Sequence, residues 1–237
     1  MSDQAARRFY KEAAAVADAS GGFRVELDGR PVKTPVGATL IVPADSLAGA
    51  ITDEWAAQDV KIDPTSMPMM QLACTALDRV MPNRADVITE TAGYGATDLL
   101  CYRADGPPDL VERQSAVWQP MLDWLSNDLD ATLVVTTGIV HINQPEDALD
   151  ALSAAIAAYE DFPLTGVVRM TQIFGSLGLG LAVAHGRLTW EQGMEAALLD
   201  ETFQAERWGE DYEAINRRRN MANEVEQAAR YFLLVRD

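Results

Sequence analysis

The chain has 237 residues, of which 48% are hydrophobic and 23% charged, the composition of an ordinary soluble globular protein. Its 19 basic and 36 acidic side chains give a formal net charge of −17, which repels a phosphate backbone and argues against nucleic acid as a partner. The two cysteines, Cys74 and Cys101, are too few for a disulfide framework and lack metal-binding spacing, so a reducing compartment is expected.

No segment predicts membrane insertion or a secretory signal. The most apolar run, residues 173–184, is uncharged but shorter than the roughly 20 residues that a helix needs to span a bilayer. The first residues of the chain lack the apolar core of a signal peptide. The apolar run therefore predicts a buried core helix.

The N-terminal part predicts a small β-rich unit after a first helix. Residues 3–19 are rich in alanine and favour a helix. Residues 23–42 contain apolar side chains that alternate with charged ones, and Asp28 and Gly29 supply a turn between two strands. Prolines within this stretch place the strands at the edge of a sheet.

Helical periodicity dominates the rest of the chain. Pro163 opens a helix that should end at Gly186, and Thr189 with Gln192 has the spacing of a capping box that starts the next helix. Pro120 lies inside another predicted helix, where a kink or break is expected.

The expected fold class is α+β, with a small N-terminal β-containing domain and a larger all-helical domain. The predicted boundaries are residues 1–64 for the β-rich domain and residues 65–237 for the helical domain. Two further strand candidates, residues 98–103 and 132–142, interrupt the helical part. We expect these strands to be available for joining the β unit.

The segment Asp200–Glu213, DETFQAERWGEDYE, surrounds aromatic side chains with carboxylates. In a helix, Glu201, Ala205, Trp208 and Tyr212 fall on one stripe. Such a mixed stripe suits a surface that docks another protein, because aromatic anchors carry affinity and charges set orientation. In the ordinary alternative, the aromatic side chains pack inward and the acids are solvated, and this alternative stays open.

Five residues of this segment are the predicted partner-binding residues. They are Glu201, Gln204, Glu206, Trp208 and Glu210. The basic run Arg217–Arg219 follows, and it predicts a helix face that pairs with the neighbouring acids.

No pattern in the chain predicts a catalytic residue, a cofactor or a metal site. His141 and His185 lie in separate predicted elements and are expected to be structural. The glycines within residues 175–180 form GxxGxG, which matches neither common phosphate-binding pattern and predicts close approach of helices. Because metal-binding signatures are also missing, the sequence favours a binding protein that is not an enzyme.

Two other functions stay open from the residues alone. A small carboxylate-dependent hydrolase, of unknown substrate, would need two acids facing each other in a concave pocket with shifted pKa values. A nucleotide-binding regulator would need a phosphate site that the sequence does not show.

Three segments resemble one known family, the assembly chaperones of the ATP synthase catalytic head that bind its alpha subunit. The segments are PMMQLACTALDRV at residues 68–80, ATDLLCYRAD at residues 96–105, and the long block from GSLGLGLAVAHG to AERWGEDYE at residues 175–213. The opening, residues 7–35, is also similar to the start of that family. The match spans most of the chain, with the segments in the family's order, and the resemblance rests on this joint occurrence.

The resemblance implies a small β-containing domain, a larger helical domain and no hydrolysis of ATP. Members of this family hold the unassembled alpha subunit and shield its interface until a beta subunit replaces them. The family occurs in mitochondria and in related bacteria. Because this chain starts almost directly at the shared region, the expected location is the bacterial cytoplasm, or the mitochondrial matrix if a presequence has been removed.

Overall fold

The computed structural model describes residues 6–236. By their contacts these residues form two compact units. The first unit comprises the chain up to Arg84, residues 161–166 and the chain from Arg230 onward, and the second comprises residues 85–160 and 167–229. A small set of strands accompanies a larger set of helices, which confirms the expected α+β class.

An antiparallel four-stranded sheet begins the first unit. Its strands are β1 (Ala13–Ala17), β2 (Phe23–Leu27), β3 (Arg30–Pro31) and β4 (Ile41–Val42). Strand β2 has β1 along one edge and both β3 and β4 along the other. The alternation in β2 buries Val25 and Leu27 in the core, while Arg24 and Glu26 form an ion pair on the other face.

Strand β1 shows that the helix predicted for residues 3–19 is wrong. Its alanines favour a helix in isolation, but all five residues of β1 pair with β2, and this pairing overrides the local preference. The carboxylate of Asp28 also holds the strand, because it accepts hydrogen bonds from the N–H groups of Lys11 and Glu12 at 3.0 and 2.9 Å. Residues 3–5 of the predicted helix lie outside the described residues.

Two helices of the first unit, α1 (Asp45–Ala56) and α2 (Pro68–Thr75), are joined by Glu54. Its carboxylate accepts hydrogen bonds from the N–H groups of Met69 at 2.7 Å and Met70 at 2.9 Å, at the start of α2. Burial raises the pKa of Glu54, and these hydrogen bonds oppose the rise. Because α2 belongs to the first unit, the boundary predicted after residue 64 falls inside that unit.

The second unit is built mainly from helices. The α-helices that follow α2 in the chain are α3 (Arg84–Ala92), α4 (Pro108–Leu129), α5 (Glu146–Ala157), α6 (Asp161–Phe174), α7 (Leu177–Ala184), α8 (Trp190–Ala197), α9 (Leu199–Trp208) and α10 (Tyr212–Leu234). The start of α6 and the end of α10 belong to the first unit. Helix α4 continues through Pro120 without a break, and the predicted capping box of Thr189 and Gln192 opens α8. Within residues 6–236, no helix combines the length and apolar character that crossing a membrane requires.

Helix α7 lies in the core of the second unit. Its sequence is apolar on all sides and seven of its eight residues are buried, which confirms the predicted core helix. The helix does not start at Pro163 as expected, because Gly175 ends α6 in a left-handed conformation with φ of +68°. Ser176 then starts α7, and its hydroxyl accepts a hydrogen bond from the N–H group of Leu179 at 3.0 Å.

Asp98 anchors the start of α7 from a distant part of the sequence. Its side chain is fully buried and accepts hydrogen bonds from the Ser176 hydroxyl at 2.6 Å and from the N–H group of Gly178 at 2.9 Å. Burial raises the pKa of Asp98, and the hydrogen bonds oppose that rise. The carboxylate therefore satisfies donors that the first turn of a helix leaves without partners.

Gly178 and Gly180 allow the neighbours of α7 to come close. A Cβ atom on Gly178 would lie 2.9 Å from the Leu100 side chain and 3.0 Å from the Leu125 side chain. A Cβ atom on Gly180 would lie 2.4 Å from the Thr171 hydroxyl. These distances are too short for a real side chain, so the predicted close packing is confirmed for Gly178 and Gly180, whereas Gly175 has open space around it and serves the left-handed end of α6.

The strand candidates at residues 98–103 and 132–142 are only partly strands. Strand β5 (Tyr102–Arg103) and strand β6 (Thr136–Thr137) pair in parallel with each other, within the second unit. The expectation that they join the N-terminal sheet is wrong. A ladder of two residues is too short for its alternation to specify a partner, and helix α4 supplies the long connection that a parallel pair needs.

We predict that Asp98→Ala destabilises the protein by about 3 kcal/mol or more, because it leaves buried donors of Ser176 and Gly178 without an acceptor. Asp128→Ala removes an exposed acid from α4 and is the matched control. This control should change stability by about 0.5 kcal/mol or less. Urea denaturation followed by circular dichroism measures both variants, and equal stabilities would contradict the anchoring role of Asp98.

The contribution of Asp98 to stability should also decrease as the pH rises. Burial raises the pKa of Asp98 in the folded state. The folded protein therefore holds the proton of this carboxyl group more tightly than the unfolded chain does. That stabilisation is complete below the unfolded pKa of about 3.9 and is lost as the pH rises through the folded value. The difference in unfolding free energy between wild type and Asp98→Ala should be smaller at about pH 8 than at about pH 4, close to the unfolded pKa. A difference that grows with pH would contradict this expectation.

Candidate functional site

The acidic–aromatic segment folds as two helices with a break between them. Helix α9 ends at Trp208, Gly209 follows with φ of +83°, and α10 begins at Tyr212. The carboxylate of Asp211 supports the start of α10 by accepting a hydrogen bond from the N–H group of Ala214 at 2.7 Å. The single helical stripe predicted through Tyr212 is therefore interrupted after Trp208.

One face of α9 is attached to α4 around Phe203. Its ring is only 3% exposed, and the guanidinium groups of Arg113 and Arg207 lie 5.3 and 4.3 Å from its centroid. Arg113 pairs with Glu206 at 2.8 Å, and Arg207 pairs with Asp109 at 2.5 Å. Each guanidinium group thus contacts the ring and a carboxylate at once, which holds α9 against α4.

Glu206, one of the five predicted partner-binding residues, lies on this attached face because its carboxylate is paired with Arg113. The start of α9 is held in the same way, since the buried amide of Gln114 donates a hydrogen bond to Asp200 at 2.7 Å. The ion pair of Glu206 therefore links α9 to α4.

The other face of α9 forms an open groove with the start of α10, here called the α9–α10 groove. It is lined by Glu201, Gln204, Ala205, Trp208, Gly209, Glu210, Asp211, Ala214 and Arg218. Four of the five predicted partner-binding residues are thus brought together, and Glu206 is the exception. Trp208 is 77% exposed, whereas Phe203 is buried. The alternative in which the aromatic side chains of this segment pack inward is therefore correct for Phe203 and wrong for Trp208.

Two arginines of α10 hold the acids of the groove. Arg218 pairs with Glu210 at 2.6 Å, and its Nε atom lies 3.9 Å from the Glu201 carboxylate. Arg217 pairs with Glu201 at 2.5 Å, and the hydrogen bond that it donates to this carboxylate raises the pKa of Arg217. The predicted pairing of the basic run with neighbouring acids is therefore confirmed for its first two members.

Asp211, Ala214 and Arg218 line the groove but were outside the predicted set. A helix continued through the whole segment places these residues away from Glu201, whereas the observed break brings the start of α10 beside α9. Gly209 was the available signal in the sequence, because glycine just after a helical run is typical of a helix end.

The acids and thiols with raised pKa values are buried or half-buried. The buried Asp98 and the half-buried Glu54 each accept hydrogen bonds from N–H groups at the start of a helix, which is a structural use of an acid. Burial raises the pKa of Cys74 to about 11 and that of Cys101 to about 12, so both thiols are protonated and unreactive at neutral pH. Among the described residues, no group of three or more His, Cys, Asp or Glu side chains could hold a metal ion.

Known proteins are similar in sequence to this chain over most of its length. The family model described as ATP12 chaperone protein matches residues 7–126. A curated relative, the mitochondrial Atp12 protein of Schizosaccharomyces pombe, is 24% identical over 215 residues, which covers 86% of this chain and 74% of that protein.

Two crystal structures have the same fold. Atp12 from Paracoccus denitrificans is 38% identical, with a TM-score of 0.93 and coverage of 97% of this chain and 98% of its own. A protein from Agrobacterium tumefaciens, described as a candidate chaperone, is 36% identical, with a TM-score of 0.92 and coverage of 97% and 86%. Sequence and fold therefore agree with the resemblance found in the segments above, and the chain belongs to the ATP12 chaperone family.

Proposed function

We propose that this protein is an assembly chaperone that binds the unassembled alpha subunit of the ATP synthase catalytic head. It shields the interface of that subunit until a beta subunit replaces it. The coarser part of this function, a chaperone of ATP synthase assembly, follows from membership of the ATP12 family. The choice of the alpha subunit is supported by the segments that resemble the family.

The observation that carries the proposal is the exposure of two large aromatic side chains beside acids. Trp208 is 77% exposed and Tyr212 is 78% exposed, although both belong to well-formed helices. Aromatic surface left in water is typical of sites where another protein binds, because its burial then contributes to affinity. The groove thus has the anchor of an interface without an occupant from its own chain.

We assign direct contact with the partner to the residues that line this groove. Trp208 supplies the anchor, Gln204 adaptable hydrogen bonds, and Glu201 with Glu210 the charges that orient the partner. Glu206 acts indirectly, since its ion pair with Arg113 helps to position α9. This division follows from which side of α9 each residue occupies.

The proposed role suits a surface of mixed character. A ring subunit outside its ring exposes a large apolar interface, which is prone to aggregation. A chaperone that works by binding alone must cover that interface and still be displaced by the final partner. Aromatic contacts give affinity, while exposed ion pairs add little net stability and exchange readily, so the combination permits displacement.

We propose the bacterial cytoplasm as the site of action, with the mitochondrial matrix as the alternative for a processed mitochondrial chain. The Paracoccus and Agrobacterium proteins that share this fold come from bacteria, and the Schizosaccharomyces pombe relative is named as mitochondrial. Fractionation of the source cells would distinguish these locations.

We predict that the protein forms a complex with the isolated alpha subunit and none with the assembled catalytic head. The reason is that the surface to be shielded is already buried by beta subunits in the head. Size-exclusion chromatography of each mixture, with the eluted proteins identified by mass spectrometry, measures this. Equal binding to the head and the free subunit, or no binding to the free subunit, would contradict the proposed function.

We predict that Trp208→Ala weakens binding of the alpha subunit by about 2 kcal/mol or more, because truncating a central aromatic anchor removes most of its buried contact. Phe9→Ala is the matched control, since Phe9 is 72% exposed and belongs to the first unit. Binding titrations and thermal melts of both variants are required. A Trp208→Ala protein that binds normally, or that loses about 3–5 kcal/mol of stability like a core variant, would contradict this assignment.

A further inference from the structure

The exposed face of Trp208 is set among carboxylates. Glu201, Glu210 and Asp211 line the groove with it, and Arg218 is the cation among the lining residues. These three carboxylates exceed the two guanidinium groups that contact them, Arg218 in the lining and Arg217 on Glu201, so negative charge is left along the groove. The face of an indole ring is itself electron-rich and attracts cations, so ring and carboxylates favour the same kind of ligand.

The attached face of α9 also has an aromatic ring beside carboxylates, and there this combination binds arginine side chains. There Phe203 has Arg113 and Arg207 over its ring, and each guanidinium group pairs with a carboxylate, that of Glu206 or Asp109. In the described part of the chain no arginine or lysine lies over Trp208 in this way. The groove therefore has the ring and the carboxylates of that arrangement without the stacked arginine.

We propose that the α9–α10 groove binds an arginine side chain of the partner, with its guanidinium group stacked on Trp208 and paired with Glu210 and Glu201. This inference rests on the proposed function for the existence of the partner, and it adds the chemistry of the residue that the partner inserts. Arginine fits better than lysine, because a planar guanidinium group stacks on a ring and donates two parallel hydrogen bonds to a carboxylate.

The arginines of α10 prepare the groove for this ligand. Arg218 holds Glu210 at 2.6 Å and lies near Glu201, so both carboxylates are directed before the partner arrives. Arg218 contacts Glu210 through Oε1, and Arg217 and Arg218 contact Glu201 through Oε2, so the other oxygen of each acid can accept a further guanidinium group. Groups that are already positioned lose less conformational entropy on binding, which favours this site over a flexible acidic surface.

Titration of the isolated alpha subunit with three variants tests the proposal. Trp208→Leu keeps an apolar side chain but removes the electron-rich ring, and Glu210→Gln keeps the shape but removes the charge. Each should weaken binding about fivefold or more. Glu213→Gln is the matched control, because it removes an exposed acid of α10 that does not line the groove. This control should change binding less than about twofold.

The residue supplied by the partner is identified by chemical protection. Phenylglyoxal modifies accessible arginines, and mass spectrometry of the alpha subunit should find one arginine protected by the wild-type chaperone and not by the Trp208→Leu variant. Acetic anhydride treatment reports lysines in the same way and should show no such difference. Protection of a lysine instead, or of no arginine, would overturn the proposal.

The possible failures are separable. If wild type binds the alpha subunit while Glu210→Gln matches Glu213→Gln, or Trp208→Leu binds like wild type, the arginine site is wrong and the proposed function survives. If wild type does not bind the alpha subunit, both fail together. Thermal melts confirm that each variant is folded, and Glu201→Gln replaces Glu210→Gln if the latter melts lower.

Discussion

The second unit depends on a buried carboxylate at the start of a buried helix. Helix α7 is apolar on all sides and must be surrounded by protein, so water cannot reach the N–H groups of its first turn. Ser176 and Asp98 supply the missing acceptors, and Gly178 and Gly180 let the neighbours close around the helix. Asp98 and Ser176 therefore provide acceptors for the N–H groups of the first turn, and Gly178 and Gly180 allow close packing of the apolar helix.

Helix α9 has two faces with different roles. The face around Phe203 is fixed to α4 by stacked and paired arginines, so the position of the helix does not depend on a partner. The face with Trp208 is left open. A binding surface carried by a fixed helix is presented in one geometry, which limits the ordering that association requires. The separation also places acids only five residues apart, Glu201 and Glu206, on different faces of the helix.

Local signals in the sequence were sufficient for part of the fold. The capping box at Thr189 and the buried helix α7 are each predicted from a few adjacent residues, and both predictions are confirmed. Strand β1 was missed because its partner, β2, determines it more than its own alanines do. Four residues of the groove were predicted together, but the place of Glu206 depends on Arg113, which is 93 positions away. No periodicity reports such a distant contact.

The distance between Asp98 and its partner also has a consequence for synthesis on the ribosome. Gly178 follows Asp98 by 80 positions, so at about 5–20 residues per second roughly 4–16 s pass before α7 emerges to meet its anchor. During this interval the carboxylate is hydrated and the core of the second unit cannot close. The closure of so long a loop makes folding of this unit a late and non-local event, during which an ATP12-family protein exposes apolar surface of its own.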